Sequence, residues 1–465
     1  MGCVISNQKI VADSGDGYLS SGYKQYGGIE DDQSRGYVRT INEISPRIRL
    51  DHSEAVKELS ISGDVFNFKV NFCYISQRGY YPNSMGKANQ DSYVICESIL
   101  GDPNTHMFAI FDGHGEYGDS CSHFAANIVP AEVVKVLRKQ GGVKALDGPQ
   151  MESIYSDAIE NANMVMHQSK IDDTLSGTTC ISVILRGDTL LIANVGDSRA
   201  IVASEMEEGL ICSPLSDDQT PFRKDERERV KRSGAKVLTL EQIEGKEPIH
   251  ENWGGCSGDA VEEIGDPPRV WDDSLERPGC AFTRSLGDSV AEACGVIAQP
   301  EILAWKLSPY NKYVIIASDG VFEFLTSQAV IDILSKFENV VEGAKYVVAE
   351  AYRLWLTYDE RTDDISMIVL RLDDMTETVG VKRTEVLMRH QSMILETGSS
   401  KNTKESKPVR KAVTKDKRKL VNATWDRDDS DHLDYESLIT YKVRVLFSIT
   451  TNCCCFVYFL LCCFV

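Results

Sequence analysis

The sequence predicts an α+β fold in which antiparallel β-sheets are covered by helices. Two observations carry this. Between about Phe66 and Leu372, short β-branched and aromatic runs alternate with helical patterns. Several of the strand-like runs are separated only by hairpin-length turns, which favours antiparallel pairing. Composition permits a packed core: 42% of the 465 residues are hydrophobic, with 34 Gly besides. This excludes a wholly disordered, collagenous or coiled-coil chain.

Taken in order, strands are expected at residues 69–75, 92–96, 106–111, 178–185, 189–195, 200–203, 313–318 and 365–372, each a short apolar run bounded by turn residues. Helices are expected at 118–139, 151–168, 224–233, 328–337 and 343–356. Residues 1–60, rich in Gly, Ser, Tyr and acids, read as a flexible arm, and residues 66–374 as the folded domain. Residues 375–444 read as a charged, partly disordered tail with a basic run at 401–420. Residues 445–465 are apolar and Cys-rich but interrupted by Ser448, Thr450, Thr451 and Asn452, so a membrane anchor and a gene-model artefact both stand as readings.

The formal net charge of −20 argues against general nucleic-acid affinity, which needs a basic surface. The 14 Cys contain no CxxC pair, and the start lacks the basic-then-apolar pattern of a signal peptide, so a reducing compartment is expected.

Five segments pair an apolar strand with a turn presenting Asp: Asn89-Gln90-Asp91, Phe111-Asp112-Gly113-His114, Val195-Gly196-Asp197, Ser318-Asp319-Gly320 and Thr362-Asp363-Asp364. A sixth, Leu286-Gly287-Asp288, reads as a turn or helix end. One Asp-Gly alone is a turn signal. Recurrence beside strands suggests carboxylates gathered at one sheet edge. Converging carboxylates repel unless hard divalent cations with water ligands, Mg²⁺ or Mn²⁺, relieve them. His114, two residues beyond Asp112, is a candidate acid because imidazole titrates near neutrality.

These motifs, with SGTTC at Ser176, LSDDQTPFRKDERERV at Leu215 and PGCAFTRSLGD at Pro278, run in an order that resembles the metal-dependent Ser/Thr protein phosphatases of type 2C, in a plant subgroup. The resemblance spans roughly residues 67–372. It implies a central sandwich of two antiparallel sheets flanked by helix pairs, with metals at one edge, and hydrolysis of phospho-Ser/Thr on proteins by metal-activated water. By the same resemblance, Asp112 would bridge two Mg²⁺ or Mn²⁺ ions and the carbonyl of Gly113 would hold one of them. Asp319 and Asp363 would hold the other, and Asp91 would act through metal-bound water. Asp197 and Asp288 would belong to a weaker third site, and His114 would protonate the leaving oxygen.

Four positions depart from the family pattern: Gln90 where Glu is frequent, Phe322 and Glu323 where Trp-Asp is frequent, and Gly86 where an Arg grips phosphate. Lys87 or Arg78 is the expected replacement for that Arg. The charged segment between Pro214 and Trp271 would be the flap beside the cleft. The departures keep a rival reading open, a catalytically weak phosphatase fold serving as a binding module at a membrane. Met1-Gly2-Cys3-Val4-Ile5-Ser6 matches N-myristoylation of Gly2, with Cys3 open to a second acyl chain. The expected setting is therefore the cytosol and the cytoplasmic side of a membrane, with phosphoproteins as partners, a monomeric enzyme and no nucleic acid.

Overall fold

The computed structural model describes residues 50–253 and 266–377, and the backbone of two short strands, β1 (Gly2–Ile5) and β2 (Gln8–Val11). Along the chain follow β3 (Leu50–His52), β4 (Lys57–Ser62), β5 (Phe66–Gln77), β6 (Asp91–Cys96) and β7 (Thr105–His114). Helices α1 (Gly118–Lys139) and α2 (Met151–His167) come next, then β8 (Gly177–Thr178), β9 (Cys180–Arg186), β10 (Thr189–Val195), β11 (Arg199–Met206) and β12 (Gly209–Pro214). A smaller region holds α3 (Lys224–Arg232), β13 (Lys236–Leu238), α4 (Leu240–Ile243), β14 (Arg269–Trp271) and β15 (Pro278–Cys280). The chain then forms β16 (Leu286–Gly287), α5 (Ser289–Ala293), β17 (Glu301–Lys306), β18 (Asn311–Ala317), α6 (Asp319–Phe322), α7 (Ser327–Leu334), α8 (Val340–Tyr358) and β19 (Ile365–Glu377).

Two large antiparallel sheets result, beside a small one of order β13-β14-β15. The first runs β17-β10-β9-β7-β6-β1-β2, with β8 bridging β7 and β16; the second runs β12-β11-β18-β19-β5-β3, with β4 also on β5. Strand alternation decides what each sheet faces. In β7, Met107, Ala109 and Phe111 pack under α1 and α2, beside Ala125, Val129, Val133 and Ala158. Phe108 points the other way and meets Phe72 of β5 edge-on, ring centroids 5.4 Å apart. In β19, Met367 and Val369 face α7 and α8. The layers are therefore helices, sheet, sheet, helices, and the inner strands are buried on both faces. Double burial explains why they read as continuous apolar runs rather than alternating ones. Phe72 and Phe108 are fully buried, and truncating either to Ala would cost about 3–5 kcal/mol.

The helix ends follow from capping and charge. Asp119 sits in the first turn of α1 and Arg138 and Lys139 in its last, matching the macrodipole. Asn339 caps α8 through its side chain to the Val341 N–H.

The folded region begins before Phe66: β3 and β4 fall at the end of the segment expected to be a flexible arm, and both pair with β5. Their mixed polar composition hides them because each covers only one side of an edge. β12 and β17 escape the strand reading for the same reason. The tail at 378–444, its basic run and the apolar residues 445–465 lie outside the described residues. Among the described residues no helix is long and apolar enough to cross a membrane.

Candidate active site

Aspartates from distant turns collect where the two sheets meet. Asp91 opens β6 and stands directly opposite Asp112 of β7 in the antiparallel register. Asp197 lies in the turn from β10 to β11, Asp319 opens α6 after β18, and Asp363 precedes β19. Asp112 is fixed through its backbone. Its N–H donates to Thr179 Oγ1 at 3.0 Å, and its carbonyl accepts from the Thr179 N–H at 2.8 Å and Thr178 Oγ1 at 3.0 Å. Gly113 has no room for a side chain: a Cβ there would lie 2.2 Å from the Gly118 carbonyl oxygen and 2.5 Å from that of Gln90.

Ser318 donates its hydroxyl to Asp91 Oδ2 at 3.0 Å and accepts the Ser366 N–H, tying the two sheets together at the site. Tyr81 donates its phenol to Asp363 Oδ1 at 2.7 Å. Asp364, next to it, is a brace. It accepts the N–H of Gly79 at 2.6 Å and of Gln90 at 2.8 Å, pinning three turns to one carboxylate.

The electrostatics are those of an uncompensated acidic pocket. Burial, then Asp364 and Asp363, push Asp91 up to about 8. Burial and the neighbouring aspartates hold Asp112 and Asp319 well above the carboxylate range, and burial with Asp218 lifts Asp197 to about 6. Asp91 Oδ1 and Asp319 Oδ1 are buried with no hydrogen-bond partner. Buried, unpartnered carboxylate oxygens crowded by other carboxylates fit a hard divalent ion. Another acidic trio, Asp225, Glu226 and Glu301, is also closely spaced. It is already neutralised: Glu226 binds Arg229 and Arg284, and Glu301 and Asp225 bind Arg223.

His114 ends β7. Its Nε2 lies 2.6 Å from Asp288 Oδ2, and its ring packs on Phe282, centroids 4.3 Å apart. Burial alone would lower its pKa, but the charge and hydrogen bond of Asp288, with Asp197 behind, raise it. Asp288 holds a left-handed backbone, φ 55°, at the N-cap of α5. Gly177 makes space for this carboxylate: a Cβ there would stand 2.1 Å from Asp288 Oδ2. Asp288, expected at a third metal site, is thus engaged with His114.

Gln90 is not a neutral gap in the pocket. Its side-chain N–H donates to the Gly115 carbonyl at 2.8 Å, a bond that a carboxylate could not make. Phe322 carries the Arg199 guanidinium over its ring at 4.6 Å. Glu323 lies exposed just past α6.

The expectation that Arg78 could grip phosphate is corrected. Its guanidinium donates to the carbonyls of Gly79, Ser84, Met85 and Lys87, and it is 5% exposed. It staples the loop rather than facing the cleft. Lys87 lies on that loop with its ammonium 3.9 Å from the Tyr81 ring centroid. Gly2 and Cys3 fall in β1, whose backbone pairs with β6. Sequence reasoning missed Tyr81, Phe282 and Asp364; only the doubled Asp363-Asp364 carried a local signal.

A two-sheet sandwich with a carboxylate cluster and a neighbouring His–Asp pair defines a metal-dependent hydrolase class. The protein phosphatase 2C profile matches residues 82–362, and the chain belongs to that family. It is a protein serine/threonine phosphatase. The chain is 45% identical over 311 residues to "Probable protein phosphatase 2C 35" of Arabidopsis thaliana, covering 67% of this chain and 86% of that one. It is 29% identical over 294 residues to "Probable protein phosphatase 2C 34" of the same plant, covering 61% and 76%. Among solved structures, a serine-threonine phosphatase 2C from Toxoplasma gondii superposes with a TM-score of 0.53 at 16% identity, covering 70% of this chain and 99% of that one, a likeness of fold.

Proposed function

We propose that this phosphatase hydrolyses phospho-Ser/Thr proteins with two divalent ions, Mg²⁺ or Mn²⁺, held by Asp112, the Gly113 carbonyl, Asp319 and Asp363, with Asp91 acting through a water ligand. The observation that carries this is the pair of buried, partnerless oxygens on Asp91 and Asp319 within one cluster. Bound ions would supply a nucleophilic water at neutral pH and offset phosphoryl charge. The protein's own residues do the rest. Asp288 orients His114 and raises its pKa, so that Nδ1, the ring nitrogen not bound to Asp288, is the one to protonate the departing Ser or Thr oxygen. Tyr81 fixes the rotamer of Asp363. Lys87, over the Tyr81 ring, is the cation that would meet the phosphoryl group. Asp197 would serve a weaker third ion.

The test is hydrolysis of a phosphothreonine peptide with Mn²⁺, with EDTA, and by Asp112→Asn. Activity that survives chelation or the substitution refutes the mechanism. For location, the Gly2 and Cys3 pattern supports a lipid anchor on the cytoplasmic face of a membrane. Gly2→Ala should move the protein to the soluble fraction, and unchanged membrane recovery would refute the anchor.

A further inference from the structure

The segment that carries Asp288 is gripped by α2 and by the loop that follows it. Asn163, near the end of α2, accepts the Gly287 N–H on Oδ1 at 2.8 Å. The N–H groups of Asp288, Ser289 and Val290 donate to the carbonyls of Ser176, Asp173 and Thr174. The remaining hold is ionic. His167, the last residue of α2, has Nδ1 2.7 Å from Asp173 Oδ2 and Nε2 3.2 Å from Glu292 Oε1. Glu292 lies in α5, the helix that Asp288 caps. Asn163 Nδ2 donates to the same Glu292 oxygen at 2.7 Å and lies 3.1 Å from His167 Nε2.

We infer that His167 is a positioning residue whose protonation clamps the Asp288–His114 pair, so that the phosphatase carries a proton-dependent strut outside its catalytic pocket. The inference rests on the hydrolytic reading above and concerns how that site is held. Two states are built in. As an imidazolium, His167 donates from both nitrogens, to Asp173 and to Glu292. As a neutral ring with its proton on Nδ1, it keeps Asp173 but turns a lone pair toward Glu292, and Asn163 becomes its donor. Glu292 then loses its cationic partner and α5 loosens at the end that presents Asp288. Three groups face the ring: Asn163 from its own helix, Asp173 from the following loop and Glu292 from α5. Both charged ones favour the cation, as does the C-terminal end of α2.

Hydrogen–deuterium exchange of the full chain, corrected for intrinsic rates, tests this without turnover. In the wild type, protection of the Asp288, Ser289 and Val290 amides should fall about tenfold as His167 loses its proton. His167→Gln should show the low protection at both pH 6.5 and pH 8, together with about tenfold lower kcat and a KM within twofold. If His167→Gln keeps the wild-type pH step, the step belongs to another group and the inference is overturned. Should the variant not fold, ¹⁵N spectra of wild-type His167 decide: both nitrogens protonated at pH 7 supports the strut, and a neutral tautomer overturns it. Because exchange needs no substrate, a failed phosphatase assay leaves this result readable.

Discussion

Asp91→Asn should stabilise the metal-free protein while damaging the enzyme. In the fold, burial and the neighbouring aspartates push Asp91 up to about 8, against about 3.9 in an unfolded chain. The sign follows from proton counting. At pH 7 the folded state holds a proton that the unfolded chain releases, so stability is lost as pH rises from about 4 toward 8. At about 1.4 kcal/mol for each tenfold change in proton affinity, the loss by pH 7 is about 4 kcal/mol. An amide never ionises, and its carbonyl oxygen can still accept from Ser318. Urea unfolding in EDTA should therefore show Asp91→Asn more stable than wild type at pH 7.5 by a few kcal/mol, with the gap closing near pH 4. Adding Mn²⁺ should reverse the order, since only the wild type offers a charged oxygen there. A variant less stable than wild type at pH 7.5 without metal, or a gap independent of pH, would refute the reasoning.

Other outcomes follow from single contacts. Glu226, 3% exposed at its side chain, is held down to about 2 despite burial by hydrogen bonds from Arg284, Arg229 and Thr283. Its stabilisation is complete above the unfolded value of 4.5, fades as pH falls toward 2, and amounts to about 3 kcal/mol. Glu226→Gln should cost about that much at pH 7 and visibly less at pH 3 in urea titrations; an equal gap at both would count against it. Lys87→Ala should lower kcat/KM about tenfold if its ammonium meets phosphate. Gly86→Arg should restore it, because a Cβ at Gly86 meets nothing within 4 Å; no loss in Lys87→Ala would remove Lys87 from the site. Asp288→Asn takes away the charge that raises the pKa of His114. The alkaline limb of the kcat profile should move to lower pH, and an unmoved limb would separate Asp288 from the acid.

The sandwich was legible because its inner strands are apolar on both faces, and α1 because its apolar positions recur on one side over about six turns. What could not be read locally depends on pairing across long separations. Asp91 and Asp112 face each other only through the β6–β7 register. Asp288 meets His114 across 174 residues, and Tyr81 meets Asp363 across 282. The fate of Arg78 was equally hidden: a basic residue beside a cleft suggests an anion, but carbonyls within its own loop had already claimed it. Gln90 looked like a lost charge until its amide was seen holding the Gly115 carbonyl.

The acidic cluster draws its members from both layers of the sandwich, with Asp91 and Asp112 on one and Asp319 and Asp363 flanking strands of the other. Any ion seated among them acts as a rivet through two plates. Cofactor affinity and the cohesion of the layers are then a single thermodynamic quantity read in two ways. A cavity opened between the plates, at Phe72 or Phe108 for instance, would surface as a higher Mn²⁺ requirement in an enzyme whose pocket had not been touched.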